Sequence, residues 1–287
     1  MTSSALRLLV TGGTGLLGGA VLRAAGTRPE VVPLATFHHA RPDPQLAEWI
    51  ALDLRHPREA RAAIVDARPD VVLHTAMAMA PGDLSTVIAE GSGHVAAAAH
   101  EVDARLIHVS SDMVFDGASG PYAEDAAPSP ITPYGRAKAR AEARVRAAAP
   151  AATIVRCSLL YRIDPPDRSL AAWLDGPGGA TAYPLFTDEI RCPAQVDDVA
   201  AALVELALRD ARGVPTVLHA VGPAAISRYQ FGRLALNALG RDPAEAVAAQ
   251  SRDAGTPRPR KLVLTTHGTP DWFTSGLRAP ADALATG

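Results

Sequence analysis

The chain has 287 residues, 48% of them hydrophobic and 20% charged, with a formal net charge of −2. That size buries a full core and suits one large domain or two small ones, and the balance is that of an ordinary soluble globule. It lacks the basic excess of a nucleic-acid or membrane-surface binder, so neither partner is expected.

Residues 1–4 run straight into an apolar segment, Leu6 to Val10, that is too short for a signal sequence or a membrane span. From there short apolar runs alternate with longer Ala-rich helical patterns, the mark of a parallel sheet covered by helices. The periodicity predicts strands over 6–11, 31–37, 71–74, 106–110 and 153–156 and helices over 16–25, 57–67, 87–100 and 134–149. The runs around Val71 and Leu106 are almost continuously apolar, as strands buried on both faces are. After Arg156 the pattern loosens, and Pro165-Pro166, the glycines of 176–179 and Pro184 punctuate a loop-rich stretch. A helix over 196–209, a strand over 217–220 and a helix over 227–239 follow. The expected fold class is α/β, a Rossmann-type doubly wound parallel sheet with a smaller C-terminal substrate-binding cap. Residues 1–157 form the dinucleotide-binding domain, 194–221 return to it, and 158–193 with 222–287 make the cap.

Cys157 and Cys192 are the only cysteines and lie far apart, with no ligand spacing around them. Neither a disulfide framework nor a metal site is expected, and a reducing cytoplasm is the natural location.

Thr11-Gly-Gly-Thr-Gly-Leu-Leu-Gly18 follows the first strand and opens the first helix. Gly12 permits the tight turn, Gly15 lets the backbone approach a pyrophosphate, and Gly18 allows the helix to pack on the strand. The helix N-terminus then offers free N–H groups to phosphates. A merely tight structural turn is the alternative. NAD binders place a carboxylate at the end of the second strand, yet here the run Ala35-Thr-Phe-His-His-Ala-Arg41 holds no acid before Asp43. His38, His39 and Arg41 can hold a 2′-phosphate instead, which makes NADPH the expected cofactor over NADH. A solvated basic turn is the competing account. Asp53, with Leu54, is placed to meet the adenine edge, or else to cap the following helix. Thr14, Leu16, Leu17, Thr75, Ala76 and Met77 complete the expected cofactor contacts.

Of 28 basic residues, only Lys138 and Lys261 are lysine. Lys138 follows Tyr134 by four residues, so the two share one face of a helix. A compact ammonium beside a phenol is expected to lower the phenol's pKa and make it a usable proton donor to a carbonyl. An ordinary helix start with one solvated lysine is the plainer account. Ser111, at the end of the strand before it, points its hydroxyl toward the same place, although serines at strand ends commonly serve loops.

Glycine loop, strand-end serine and Tyr-x-x-x-Lys in this order resemble the extended short-chain dehydrogenase/reductases along almost the whole chain. The likeness is greatest to the dTDP-4-dehydrorhamnose reductases and their relatives. It is carried by Val109-Ser-Ser-Asp-Met-Val-Phe-Asp-Gly117, Pro121-Tyr-Ala-Glu124, Tyr134-Gly-Arg-Ala-Lys138, Asp188-Glu-Ile-Arg-Cys-Pro193 and Arg258-Pro-Arg260. It reaches also to the regulatory β subunit of methionine adenosyltransferase. The resemblance implies a catalytic trio of Ser111, Tyr134 and Lys138, with Tyr134 as acid, Ser111 orienting the carbonyl, and Lys138 on the nicotinamide ribose. It implies as substrate the 4-keto group of a nucleotide-linked deoxysugar. Asp112, Met113, Tyr161, Trp173 and Arg191 are the expected substrate contacts, and Phe186 joins them in the cap, although cap aromatics serve the core as often and Arg191 fits a surface salt bridge equally well. Related dehydratases carry Asp-Glu after the Ser or Thr, whereas Asp112-Met113 follows Ser111 here. Ile88 stands where relatives often have an asparagine of the proton relay. Reduction of a non-sugar ketone and a non-catalytic NADP-binding subunit remain the alternatives, and a homodimer is an open expectation.

Overall fold

The computed structural model describes residues 5–39, 42–80, 82–175, 184–266 and 276–285. Its centre is a seven-stranded sheet of β1 (Leu6–Thr11), β2 (Val31–Phe37), β3 (Glu48–Ala51), β4 (Val71–His74), β5 (Arg105–Ser111), β6 (Thr153–Cys157) and β7 (Val217–Ala220). The order across the sheet is β3-β2-β1-β4-β5-β6-β7 and every neighbouring pair is parallel. The strand order reverses between β1 and β4, which opens a crevice at their carboxyl ends.

Alternation along each strand sends side chains to both faces, and both faces are covered. Leu8 and Val10 meet Val21 and Leu22 of α1 (Leu16–Gly26) and Val199, Leu203 and Leu206 of α6 (Val196–Leu208). Leu9, Val72, Leu106 and Ile154 meet the opposite layer. That layer is α2 (Pro57–Ala67), α3 (Gly91–Glu101) and α4 (Pro133–Ala148), through Ile64, Val95 and Val145. α6 thus covers this sheet and β7 forms its edge.

Three elements differ from expectation. β3 was not expected, because four half-exposed residues at a sheet edge give no apolar run; the serine strand is in consequence the fifth, not the fourth. The helix expected over 87–100 is two pieces, a π-helical turn at Leu84–Glu90 followed by α3. Gly91 stands at the junction, where a Cβ would lie 2.9 Å from that of Leu54. α5 (Arg168–Asp175) rises from the loop-rich stretch, because Asp167 Oδ1 accepts from the backbone N–H groups of Ser169 and Leu170 at 2.9 and 3.1 Å.

Outside the sheet, α5, α7 (Arg228–Ala238) and α8 (Pro280–Ala285) share a second apolar cluster of Tyr161, Leu170, Leu174, Phe231, Leu236 and Leu284. Three two-residue ladders tie this part together, one of them joining Ile190–Arg191 to Ile226–Ser227. The glycines of 176–179 lie outside the described residues.

Candidate active site

Two places meet at the carboxyl edge of the sheet. The first is a cleft of about 310 Å3 over the β1–α1 turn. Gly12 takes a φ of +75°, and a Cβ there would lie 2.7 Å from Ala76 Cα, so only glycine passes. Gly12, Thr14, Gly15, His38, His39, Asp53, Leu54, Thr75, Ala76 and Met77 all line the cleft. This is a bare backbone cradle with an elongated groove beside it, and it fits a dinucleotide.

Leu16 and Leu17 turn their side chains away from the cleft, and Gly18 has the packing role expected of it. Leu17 is buried in the α1–sheet core, and Gly18 is pressed on Gly12, where a Cβ would reach the Gly12 carbonyl at 2.3 Å. Leu16 faces the neighbouring groove between Trp49 and α5. Arg41 lies outside the described residues. Arg55, Asp83 and Val87 also line the cleft and were not read from the sequence. The fork of Arg55 closes on Asp53 at 2.7–3.0 Å and holds that carboxyl well below the usual range. Asp53 does not cap α2, whose N-terminal flanking residue is His56.

The second place is the end of β5. Thr132 Oγ1 accepts from Gly135 N–H at 3.0 Å and starts α4. Gly135 lies so close to Met113 that a Cβ would meet its carbonyl at 2.1 Å. That approach brings Tyr134 to the strand end, with its phenol beside the side chain of Ser111. Ser111 also accepts from the Met113 N–H at 3.2 Å and reaches Asp112 Oδ1 at 3.2 Å. One turn on, Lys138 is buried and its ammonium donates to the Val109 carbonyl at 3.0 Å. Ser111 and Tyr134 thus meet at the end of β5, with Lys138 held on the backbone of the same strand.

Its electrostatics correct one expectation. The Tyr134 phenol is not lowered toward neutrality but pushed up to about 12, chiefly by burial and next by the charge of Asp112. Ser111 and Arg191 act the other way without prevailing. Lys138 is itself brought down to about 8 by burial, against the pull of Cys157 and Glu142. Loss of hydration outweighs proximity when both groups leave water. The phenol accordingly stays a neutral O–H donor throughout the ordinary pH range.

Beneath Lys138, His74 and His108 face each other across β4 and β5 with ring centroids 5.2 Å apart. Ser92 Oγ gives its hydrogen to the Ile88 carbonyl at 2.5 Å and takes one from His74 Nε2 at 3.0 Å, which leaves Nδ1 to accept from Thr11. Burial lowers both imidazoles, His74 to about 3, so they remain neutral beside the ammonium. Ile88 packs with Ala137, Ala141 and Tyr134 and offers no polar side chain there.

Of the expected substrate contacts, Arg191 and Asp112 are bound to each other. The guanidinium donates to both carboxylate oxygens at 2.7 and 2.8 Å, and Ser158 adds a third bond at 2.6 Å. Arg191 is therefore not a free cation for a ligand. Tyr161 is fully buried against Phe231 in the apolar cluster of α5, α7 and α8. Met113 lies against Arg191, its sulfur 3.3 Å from Nη1. Trp173 carries the guanidinium of Arg228 at 4.6 Å, and Phe186 carries that of Arg258 at 4.8 Å. Both arginines pair with the buried carboxylate of Glu189. This arginine–glutamate group was missed, since its members come from three separate segments. Among the described residues no cluster of His, Cys, Asp and Glu is set to hold a metal, and no helix is long and apolar enough to cross a membrane.

A glycine cradle at the switch point, with Ser, Tyr and Lys meeting one strand away, is the arrangement of the extended short-chain dehydrogenase/reductases, and this chain is one of that class. Within it, the chain belongs to the RmlD substrate binding domain family, whose pattern matches residues 6–285. It is 32% identical to a dTDP-4-dehydrorhamnose reductase of Mycobacterium tuberculosis, over all of this chain and 93% of that protein. The crystal structure of dTDP-4-dehydrorhamnose reductase from Bacillus anthracis in complex with NADP superposes with a TM-score of 0.77 at 19% identity, covering 98% of each chain. The Bordetella bronchiseptica enzyme WbmG in complex with NAD gives 0.76 at 20%, over 97% of this chain and 90% of that one. The two superpositions establish a common fold.

Proposed function

We propose that the protein is an NADPH-dependent ketoreductase acting on the 4-keto group of a nucleotide-linked deoxysugar, in the manner of dTDP-4-dehydrorhamnose reductases. The observation that carries this reading is the convergence of Ser111, Tyr134 and Lys138 beside the glycine cradle. It is supported by a reductase relative aligned along the whole chain. When bound, the nicotinamide supplies the hydride. Tyr134 gives its phenolic proton to the substrate oxygen, which a neutral, partly buried phenol is suited to do. Ser111 orients the carbonyl by a hydrogen bond, and Lys138 places a point charge under the ribose. Residues 158–193 and 222–287 act as the substrate cap over the cofactor domain 1–157. Within the cap, Trp173 remains a candidate substrate contact, as does Met113 at its edge; Asp112 and Arg191 act by fixing the wall behind Ser111. NADP is preferred because His38 and His39 border the cleft where NAD binders place an acid.

The test is oxidation of NADPH in the presence of dTDP-4-keto-6-deoxyglucose, with and without an added 3,5-epimerase. Consumption that depends on the epimerase supports the reading and identifies the ketosugar isomer accepted. No consumption, with NADPH still bound, moves the function to a non-sugar ketone or to a regulatory NADP-binding subunit.

A further inference from the structure

We infer that Arg55 selects the phosphorylated cofactor, by leaving Asp53 to take the 2′-phosphate on the adenosine ribose. The inference rests on the nicotinamide-cofactor reading above, and it adds a cation from after β3 to the imidazoles at the end of β2.

Three bases surround a single carboxylate oxygen. Arg55 Nη2, His38 Nε2 and His56 Nδ1 stand 2.7, 3.4 and 3.8 Å from Asp53 Oδ2, His38 arriving from the end of β2 and the other two from beyond β3. A point ringed by such groups is built for an anion, and Asp53 fills it. The guanidinium fork matches carboxylate and phosphate geometry equally well, so the same hand can hold either. The Arg55 side chain is 43% exposed whereas that of Asp53 is 14% exposed, so the arginine is the arm free to swing.

Charge makes the exchange necessary. Asp53 and Asp83 both line the cleft, and Asp83 Oδ1 lies 3.9 Å from Arg55 Nη1. A 2′-phosphate that arrived while Arg55 stayed on Asp53 would meet two carboxylates against one guanidinium. Once the fork turns to the phosphate, Asp53 is released to accept from a hydrogen-bond donor on the adenine edge. A 2′-hydroxyl needs no such exchange, because it can donate to Asp53 as it stands. One ion pair thus serves both cofactors, through its carboxylate for the hydroxyl and through its guanidinium for the phosphate.

The experiment is titration of NADPH and of NADH, without substrate, into wild type, Arg55→Gln and Asp53→Asn, followed by reduced-nicotinamide fluorescence. Arg55→Gln is expected to weaken NADPH by about ten- to a hundred-fold, the worth of a charge-assisted hydrogen bond, and to leave NADH nearly unchanged. Asp53→Asn frees the fork and is expected to raise the NADPH-to-NADH affinity ratio, whatever adenine contact both lose. A ratio that Arg55→Gln does not move overturns the proposal and leaves the phosphate to His38 and His39. A wild type that binds neither dinucleotide overturns the cofactor reading itself, which is a different result. Arg55 is a surface residue, so a thermal melt confirms that its variant folds.

Discussion

Arg191 and Asp112, 79 residues apart in the chain, are joined by two hydrogen bonds of 2.7 and 2.8 Å directly behind Ser111. Both side chains are almost wholly out of water. The pair links the cap to the end of β5, and Ser158 and the Cys192 N–H extend the same network. Its position fixes the wall against which Ser111 and Tyr134 work.

Removing one partner strands the other charge. Arg191→Leu is expected to destabilise the fold by about 3–5 kcal/mol, the cost of an uncompensated buried carboxylate. Adding Asp112→Leu to it should recover much of that loss, since neither charge then remains. Urea unfolding of the two variants and wild type measures both values. A single variant as stable as wild type would refute the pairing.

Tyr134→Phe removes the proposed acid and nothing else in the cleft. Turnover should fall by about a hundred- to ten-thousand-fold, the usual worth of general acid catalysis, while NADPH binding is nearly unchanged. Steady-state rates and a fluorescence titration separate the two effects. Retained turnover would sink the acid role.

An alkaline limb in activity is expected to belong to Lys138. Its ammonium is brought down to about 8, while the phenol of Tyr134 is pushed up to about 12. Raising pH through about 8 therefore removes the charge under the ribose and lowers kcat/KM, with the phenol still protonated. Lys138→Arg should be slower but flat across that limb, because a guanidinium does not titrate there. Stability runs oppositely. Between the folded value and the ordinary lysine value the unfolded chain binds the extra proton, so stability rises with pH across that window. A pH–rate profile of both proteins and a set of melts across the same range check both signs.

Gly135→Ala tests how Tyr134 is delivered. The new Cβ would be driven into the Met113 carbonyl, so α4 or the turn after β5 must shift. A loss of about 1–3 kcal/mol is expected, as for overpacking generally. A fall in kcat larger than any change in cofactor affinity should accompany it. The reverse pattern would show that the close approach does not position the phenol.

Much of this molecule was legible in one dimension. β1, β2, β4 and β7 fall where apolar runs predicted them, because a strand covered on both faces must be apolar at nearly every position. The glycine loop was equally plain, since a left-handed turn with no room for a Cβ admits one residue type. β3 escaped because two of its four residues are exposed and two only half-buried, which leaves no apolar run. Tyr134 and Lys138 were found by their spacing along a helix, which is a local property.

What spacing could not supply is burial and partnership. The sequence left open whether Arg191 meets a ligand or an ion-pair partner and whether Tyr161 lines a pocket or a core; folding commits one to Asp112 and the other to Phe231. Arg55 passed unnoticed because its value lies in standing across β2 and β3 from His38, a neighbour that only the sheet creates. The phenol's pKa likewise depends on how much water surrounds it, and desolvation is a sum over the whole fold. The sequence by itself determined most of the sheet, the cradle and the candidate reacting side chains, which follow from local conformational limits and from the apolarity that burial demands. The tertiary structure decided which charges are free and which are spent, because an ion pair is settled by distances between segments that the chain order leaves open.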